Sequence, residues 1–491
     1  MIVRRTFTCG AVLLSSLLFA SCRSAAYRDL DANIGKELAK GIPSVAFAIA
    51  QNGHVVHEGA AGFADANVRA TVHTPYPLAS VTKPFIATLV MRLAEEGRID
   101  LDAPAARYAD GWIPASDTYT VRQLLNHTSG LPTYATIRWS DEPSPTHDLA
   151  AMFGRYGFTA HPPGTVSEYS NLGYGLLGHI LEVQSGQPLA QLLESEVLRP
   201  LGLRESALIT AASTPAGYAH KFDMEGKPLP DTLNDTPAAG NLYASVHDLL
   251  RFGMFHLDRR ATLLSNATRE TMRTYVEPGA LYPYYNSSHY GLGWYFRTTA
   301  NGTRVVWHEG GMPGASSLLV LLPERDIVAA VVINANDRND VAQSISNQLI
   351  ARVDPSMQPL TFDPTEGFSP YDAQAAYRGK WDGTLTVDGA PLRCALTFDG
   401  GGKITVVFPD RAANDLLPRE STFKALVNGD LLLGTFAATL PGADIAQKPG
   451  GYVLLRLVRR GETLNGTMIA YAAPEGLRHL YPFRVSLRRV P

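Results

Sequence analysis

A serine and a lysine three residues apart stand near the start of the stretch PLASVTKPFIATLVMRLAEEG, residues 77 to 97. Acting together they would make an activated nucleophile, because a neighbouring ammonium lowers the cost of an alkoxide and an amine of depressed pKa can take the serine proton itself. Taken alone, such a pair is more often a helix N-cap beside a solvated first-turn lysine. The chain holds its own control in Ser421-Thr422-Phe423-Lys424, which falls in strand-like sequence where side chains three apart face opposite ways. The first pair differs. Val81, Phe85, Ile86, Leu89, Val90 and Leu93 make one apolar face, which predicts a helix over residues 80–96 closed by Gly97. Pro84 is tolerated only near a helix start, so Ser80 and Lys83 share a face at the end where the helix dipole favours negative charge.

Elements on both sides must hold this helix start. Leu30, Ile34 and Leu38 recur at helical spacing. In SVAFAIAQNGHVVHEGAAG two apolar runs meet at Asn52-Gly53, a strong hairpin signal. His54 and His57 fall in the second run, at a spacing that suits no metal site, and read as strand surface residues. Helical patterns fill residues 98–300. Strands return in RVVWHEGGMPGASSLLVLLPERDIVAAVVINAN, followed by a helix opened by Asp340 and marked by Val341, Ile345 and Leu349. The economical fold is α/β (α+β): one antiparallel sheet assembled from both ends of this region, flanked by helices, with an inserted helical part. Pro355, Pro359, Pro364 and Pro370 mark residues 353–370 as a linker. From 371 to 491 the turns VDGA, FDGGGK, VNGD and RRGE punctuate short strand-like runs, the pattern of an all-β, barrel-like domain.

Acyl transfer also needs a second proton carrier, donors for an oxyanion and groups that hold the substrate. Tyr169-Ser170-Asn171 lies between a Pro-Pro-Gly turn and a helix that stops at Gly186, and His308-Glu309-Gly310 lies at a strand end. In that order, Ser80-Val81-Thr82-Lys83, Tyr169-Ser170-Asn171 and His308-Glu309-Gly310 resemble the three motifs of the serine β-lactamase and penicillin-binding-protein superfamily. The tyrosine places the resemblance with class C β-lactamases, D-stereospecific peptidases and related esterases. LLNHTSGLP at 124–132, AAGNLYASVHDLLRFG at 238–253 and YGLGW at 290–294 are similar as well, and the likeness spans residues 27–352. The start of the tail, YRGKWDGTLTV, resembles the lipocalin-like tails of some members.

The resemblance implies that Ser80 attacks the scissile carbonyl, that Lys83 links Ser80 to Tyr169, and that Tyr169 moves protons to and from serine, leaving group and water. It implies that Asn171 positions Lys83 and a substrate carbonyl, that His308 and Gly310 belong to the substrate-binding edge, and that the N–H groups of Ser80 and Gly311 form the oxyanion hole. His127 belongs to a structural loop in that family. Two departures stand out: the middle motif is Y-S-N instead of S-D-N, and the last is H-E-G instead of K-T-G. Histidine at 308 removes a fixed positive charge that would grip a β-lactam or a C-terminal carboxylate. The expectation is therefore a serine hydrolase of D-amino-acid-containing peptides. An esterase or weak class C-like β-lactamase, or a non-catalytic binder of muropeptides or β-lactams, are the alternatives. Neither a metal nor an organic cofactor is expected, and the lack of a G-x-S-x-G elbow disfavours an α/β-hydrolase.

The 491 residues carry a formal charge of -3, with no basic excess for a nucleic acid partner. The start, MIVRRTFTCGAVLLSSLLFASC, reads as a secretory signal over residues 1–22, with a lipoprotein-like box ending at Cys22, the expected lipidation site. An exported lipoprotein anchored by Cys22 and facing the periplasm is expected, on the outer membrane in preference to the inner because Arg23 follows the cysteine. Removal of Cys9 with the signal and acylation of Cys22 would leave Cys394 without a disulfide partner.

Overall fold

The computed structural model describes residues 27–491 apart from 114–116, 141–148, 211–213, 283–287, 363–366, 373, 411–419, 443, 445–450 and 473–477. The signal and Cys22 lie outside the described residues. Among the described residues no helix is long and apolar enough to cross a membrane.

The first helix, α1 (Arg28–Ala39), buries Leu30 and Ile34 as its spacing predicts. Strands β1 (Ser44–Gln51) and β2 (His54–Asp65) form the expected hairpin, with Asn52 and Gly53 both at positive φ in the turn. A two-residue strand, β3 (Val68–Arg69), edges it. The helix carrying Lys83 is α2 (Thr82–Glu95). Further on come β4 (Ala135–Trp139), α3 (Asn171–Ser185), β5 (Thr232–Asn234) and α4 (Val246–Leu257). The chain then lays down β6 (His289–Tyr290), β7 (Tyr295–Thr298), β8 (Arg304–Met312), β9 (Ala315–Leu322) and β10 (Ile327–Ile333) before α5 (Asn339–Val353). The central sheet has the order β3-β2-β1-β10-β9-β8-β7-β6, so strands from both ends of this region meet at the β1–β10 pair.

Both faces of the sheet are covered, which is why its strands read as nearly continuous apolar runs. Along β1 the small residues Ala46, Ala48 and Ala50 face the helical core, where α2 and α4 pack, while Val45, Phe47 and Ile49 face a second core beneath α1 and α5. Small residues on this face let α4 approach the sheet closely. Gly253 of α4 shows how closely, because a Cβ there would lie 2.4 Å from Val328. Each large apolar side chain fully buried in these cores contributes about 1.5–3 kcal/mol.

The proline-rich stretch after α5 joins the two regions, but its described part is no loose spacer. Met357, Leu360 and Phe362 are buried in the second core, and Asn347 of α5 exchanges two hydrogen bonds with Leu360. Proline content signals chain stiffness but not what the apolar residues between the prolines will cover.

In the tail, β11 (Gly379–Val387), β12 (Gly451–Arg460), β13 (Thr463–Ala472) and β14 (His479–Arg489) form the middle of a curled antiparallel sheet, a half-barrel in the order β12-β13-β14-β11. This sheet does not stop at the tail. His479 and Leu480 of β14 pair with Thr136 and Ala135 of β4, which pairs in turn with β5.

Candidate active site

Ser80 lies in a 3₁₀ turn, Ala79–Val81, that leads into α2, and not in the helix itself as its apolar face predicts. The helix starts at Thr82 and places Pro84 within its first turn, where a missing N–H costs nothing. Ala79 is held at φ +46, a conformation unfavourable for a side-chain-bearing residue, directly before the serine. The surroundings over-determine that turn. Leu78 N–H donates to Leu242 O, Ser317 Oγ donates to Leu78 O at 2.6 Å, and Thr82 Oγ1 accepts the Leu242 N–H.

Lys83 is fully buried. Its Nζ donates to Asn171 Oδ1 and to Ala239 O, each at 2.8 Å, and lies 3.2 Å from Ser80 Oγ. Burial holds its pKa well below the ordinary lysine value. Two of its three bonding directions end on carbonyl oxygens, which can only accept. The neutral amine therefore spends two hydrogens there and turns its lone pair toward the Ser80 hydroxyl, the arrangement of a base.

Asn171 opens α3, capped by Ser170, whose Oγ accepts the Gly173 N–H and donates to Pro132 O. Asn171 Nδ2 donates to Tyr134 O, which fixes the amide so that Oδ1 faces Lys83. Tyr169 lies with its ring centroid 4.6 Å from Lys83 Nζ. Thr133 Oγ1 donates to the Tyr169 carbonyl at 2.8 Å. His127, itself at φ +62, packs its ring 4.4 Å from that of Tyr169 and accepts the Ser170 N–H on Nδ1, so its proton sits on Nε2. Burial first, then Lys83 and His308, push His127 far below the ordinary histidine range.

On the other wall, β8 carries His308, Gly310 and Gly311. A Cβ on Gly310 would lie 2.2 Å from Leu78 O and 3.1 Å from Ser80 N, so only glycine lets this strand lie against the nucleophile turn. Ser80 and Gly311 line one small cavity together with Asn171, Ala135, Ile137, Asn234 and Met312. His308 is not on that lining. It is fully buried, donates from Nδ1 to Glu309 O and accepts the Tyr290 hydroxyl on Nε2 at 2.9 Å, 6.4 Å from the Tyr169 ring. Burial, with Lys83 nearby, lowers its pKa to about 3, so at neutral pH it is an uncharged prop behind Tyr290 and Tyr169.

Sequence reasoning missed Ala239 and the strand pair that forms the cavity wall. A backbone carbonyl leaves no signature in residue type, and Asn234 stands in β5, whose pairing with β4 joins segments about a hundred residues apart. Beyond Gly240 and Met312 the cleft continues along Lys221, Asp231 and Tyr243, where the buried Lys221 ammonium donates to Thr232 Oγ1. Among the described residues no group of three or more His, Cys, Asp or Glu side chains is placed to hold a metal ion. His54 is exposed as expected, whereas His57 stacks on Tyr27 at 3.8 Å.

The sequence model described as Beta-lactamase matches residues 30–351. The chain belongs to the β-lactamase family. Penicillin-binding protein 4* of Bacillus subtilis (strain 168) is among its relatives, 26% identical over 323 residues. Among curated relatives of this β-lactamase family member, Protein flp of Staphylococcus aureus (strain MW2) is 28% identical over 332 residues, 63% of this chain and 63% of that one. The match therefore spans less than two thirds of that relative's length. The D-stereospecific amidohydrolase of a Streptomyces species is 27% identical with a TM-score of 0.52, over 68% of this chain and 99% of its own. SurE, 24% identical with a TM-score of 0.66, shares the fold over 95% of this chain and all of its own, the β tail included.

Proposed function

We propose that the protein cleaves amide bonds of D-amino-acid-containing peptides or amides through a covalent acyl-enzyme on Ser80. The observation that carries this is the Lys83 geometry: a buried amine whose two carbonyl partners leave only the Ser80 hydroxyl for its lone pair. Lys83 takes the serine proton as Oγ attacks the scissile carbonyl. The oxyanion forms between the N–H groups of Ser80 and Gly311, where one such donor is worth about 10² to 10³ in rate. Tyr169, beside the ammonium that results, relays the proton to the leaving amine and later draws one from the hydrolytic water. Asn171 orients Lys83 and reaches the substrate's carbonyl.

The uncharged His308 supports a peptidase or amidase over an efficient β-lactamase, because it supplies no cation for a β-lactam carboxylate. Likeness to a D-stereospecific amidohydrolase supports the D-configured substrate. Export and anchoring through Cys22 on the periplasmic face of the outer membrane complete the proposal, as a place where such peptides are met.

Intact-mass spectrometry of the protein and of Ser80→Ala, after incubation with a fluorophosphonate, a penicillin, a D-Ala-D-Ala peptide and an aryl ester, tests the reading. A Ser80-dependent adduct with turnover of the peptide is expected. A folded protein that gives no adduct with any of the four would refute it.

A further inference from the structure

The residue before Tyr169 is a glutamate buried at the seam with the tail. Glu168 is fully buried, as is Arg456 in the middle of β12, and Arg456 Nη1 stands 4.0 Å from Glu168 Oε1. Thr467, directly opposite Arg456 on β13, donates its hydroxyl to the same oxygen at 3.5 Å. From the hydrolase side, His161 Nε2 lies 3.3 Å from Glu168 Oε2, and Thr133 N–H donates to Oε1 at 3.2 Å. Burial alone would raise this carboxyl, but His161, Arg456 and the Thr133 N–H outweigh it and hold it below the ordinary value.

These contacts form a chain that ends at the proton carrier. The Arg456 guanidinium faces the Glu168 carboxylate across 4.0 Å as its buried counter-charge, the carboxylate accepts the Thr133 N–H, and Thr133 Oγ1 donates to the Tyr169 carbonyl. Glu168 N–H also donates to His127 O, and His127 packs on the Tyr169 ring. A carboxylate that loses this cation and keeps only His161, Thr467 and the Thr133 N–H takes up a proton more readily or shifts toward water, and either change loosens Thr133. The same seam carries β14 against β4, whose Ala135 and Ile137 line the Ser80 cavity.

We infer that Arg456, from the C-terminal β region, is a positioning residue for Tyr169, so that the tail is a working part of the active site and not a cover over it. The inference rests on the Ser80 acyl-enzyme reading.

The test compares Arg456→Met, Arg456→Lys, Glu168→Gln and the double variant Glu168→Gln/Arg456→Met as full-length proteins, following the rate of Ser80 acylation by the aryl ester and kcat and KM across pH. For Arg456→Met, kcat falls by at least about tenfold with KM held within about threefold, since displacement of a reacting group costs rate and not binding. Its acid limb moves to higher pH, because the stranded carboxylate now protonates more readily. Arg456→Lys recovers part of the rate, and the double variant loses the shift of the acid limb. Should Arg456→Met not fold, Glu168→Gln, of equal volume but without the charge that faces Arg456 and with an amide NH2 that competes for the Thr133 side, carries the same expectation of a reduced kcat. Either variant folded, with kcat and pH profile unchanged and only the melting temperature lowered, overturns the inference. A wild-type protein that fails to acylate overturns the acyl-enzyme reading first, and this inference with it.

Discussion

Lys83 Nζ stands 3.2 Å from Ser80 Oγ while its other two bonds end on Asn171 Oδ1 and Ala239 O, both carbonyl oxygens. An amine so placed acts as a base only when neutral, and burial favours the neutral form. The relationship sets both what the lysine contributes to the proposed acylation of Ser80 and what it costs the fold.

The catalytic side predicts a rate of Ser80 acylation that rises with pH through the lowered pKa of Lys83 and levels off well below about 10.4, the ordinary lysine value. Lys83→Met removes the base and lowers acylation by at least about 10⁴-fold. The stability side has the opposite sign. A lysine whose folded pKa is depressed binds fewer protons folded than unfolded, so it destabilises the fold below the unfolded pKa, and the penalty shrinks as pH rises. Lys83→Met therefore melts no lower than the wild type at neutral pH. A variant that keeps acylation within about tenfold would take Lys83 out of the chemistry.

Gly310→Ala tests the approach of β8 to the nucleophile turn. Its Cβ would meet Leu78 O at 2.2 Å and Ser317 Oγ at 2.4 Å, so the strand must retreat and carry the Gly311 N–H with it. Loss of about 10² in acylation rate is expected, with adduct still forming at Ser80. Stopped-flow acylation by the aryl ester reads this directly, and an unchanged rate would place the oxyanion donors elsewhere.

Much of this site was legible in the sequence because its residues sit at element boundaries that leave local signals. Pro84 and the apolar face place the start of α2 within two residues, Ser170 and Gly186 bracket α3, and Asn52-Gly53 sets the first hairpin. The periodicity began the helix two residues early, at Ser80, because apolar spacing continues smoothly from a 3₁₀ turn into an α-helix. What stayed hidden depends on partners far away in the chain. The burial that leaves His308 uncharged comes from packing around Tyr290, and neither Ala239 O nor the Arg456–Glu168 pair could be read from spacing.

The hydrogen bond from the Tyr290 hydroxyl to His308 Nε2 predicts a stability effect. Tyr290→Phe leaves that nitrogen buried without a donor and costs about 1–3 kcal/mol in urea unfolding at neutral pH. His308 itself makes the fold acid-labile. With a folded pKa of about 3, its contribution is intact above the unfolded histidine value of about 6.5 and is lost as pH falls between the two. His308→Gln flattens this part of the pH dependence, leaving the part due to His127, His256, His179 and His289, whose pKa values are also lowered by burial. Equal acid slopes for His308→Gln and wild type would show that the ring already titrates normally.

Cys394 offers a reporter for the coupling of tail and active site. It lies opposite Gly383 in the tail sheet, fully buried, its thiol pushed up to about 12 by burial with a further push from Asp382. A thiol so held reacts with a disulfide reagent only when the sheet opens. In a Cys9→Ser/Cys22→Ser protein, labelling of Cys394 in rising urea therefore measures tail opening, while fluorophosphonate labelling of Ser80 measures the site. Because β14 pairs with β4 and Arg456 reaches Glu168, the two transitions are expected at the same urea concentration. If Cys394 labels at a urea concentration where Ser80 still acylates at its full rate, the tail opens as a separate unit and the seam carries no coupling.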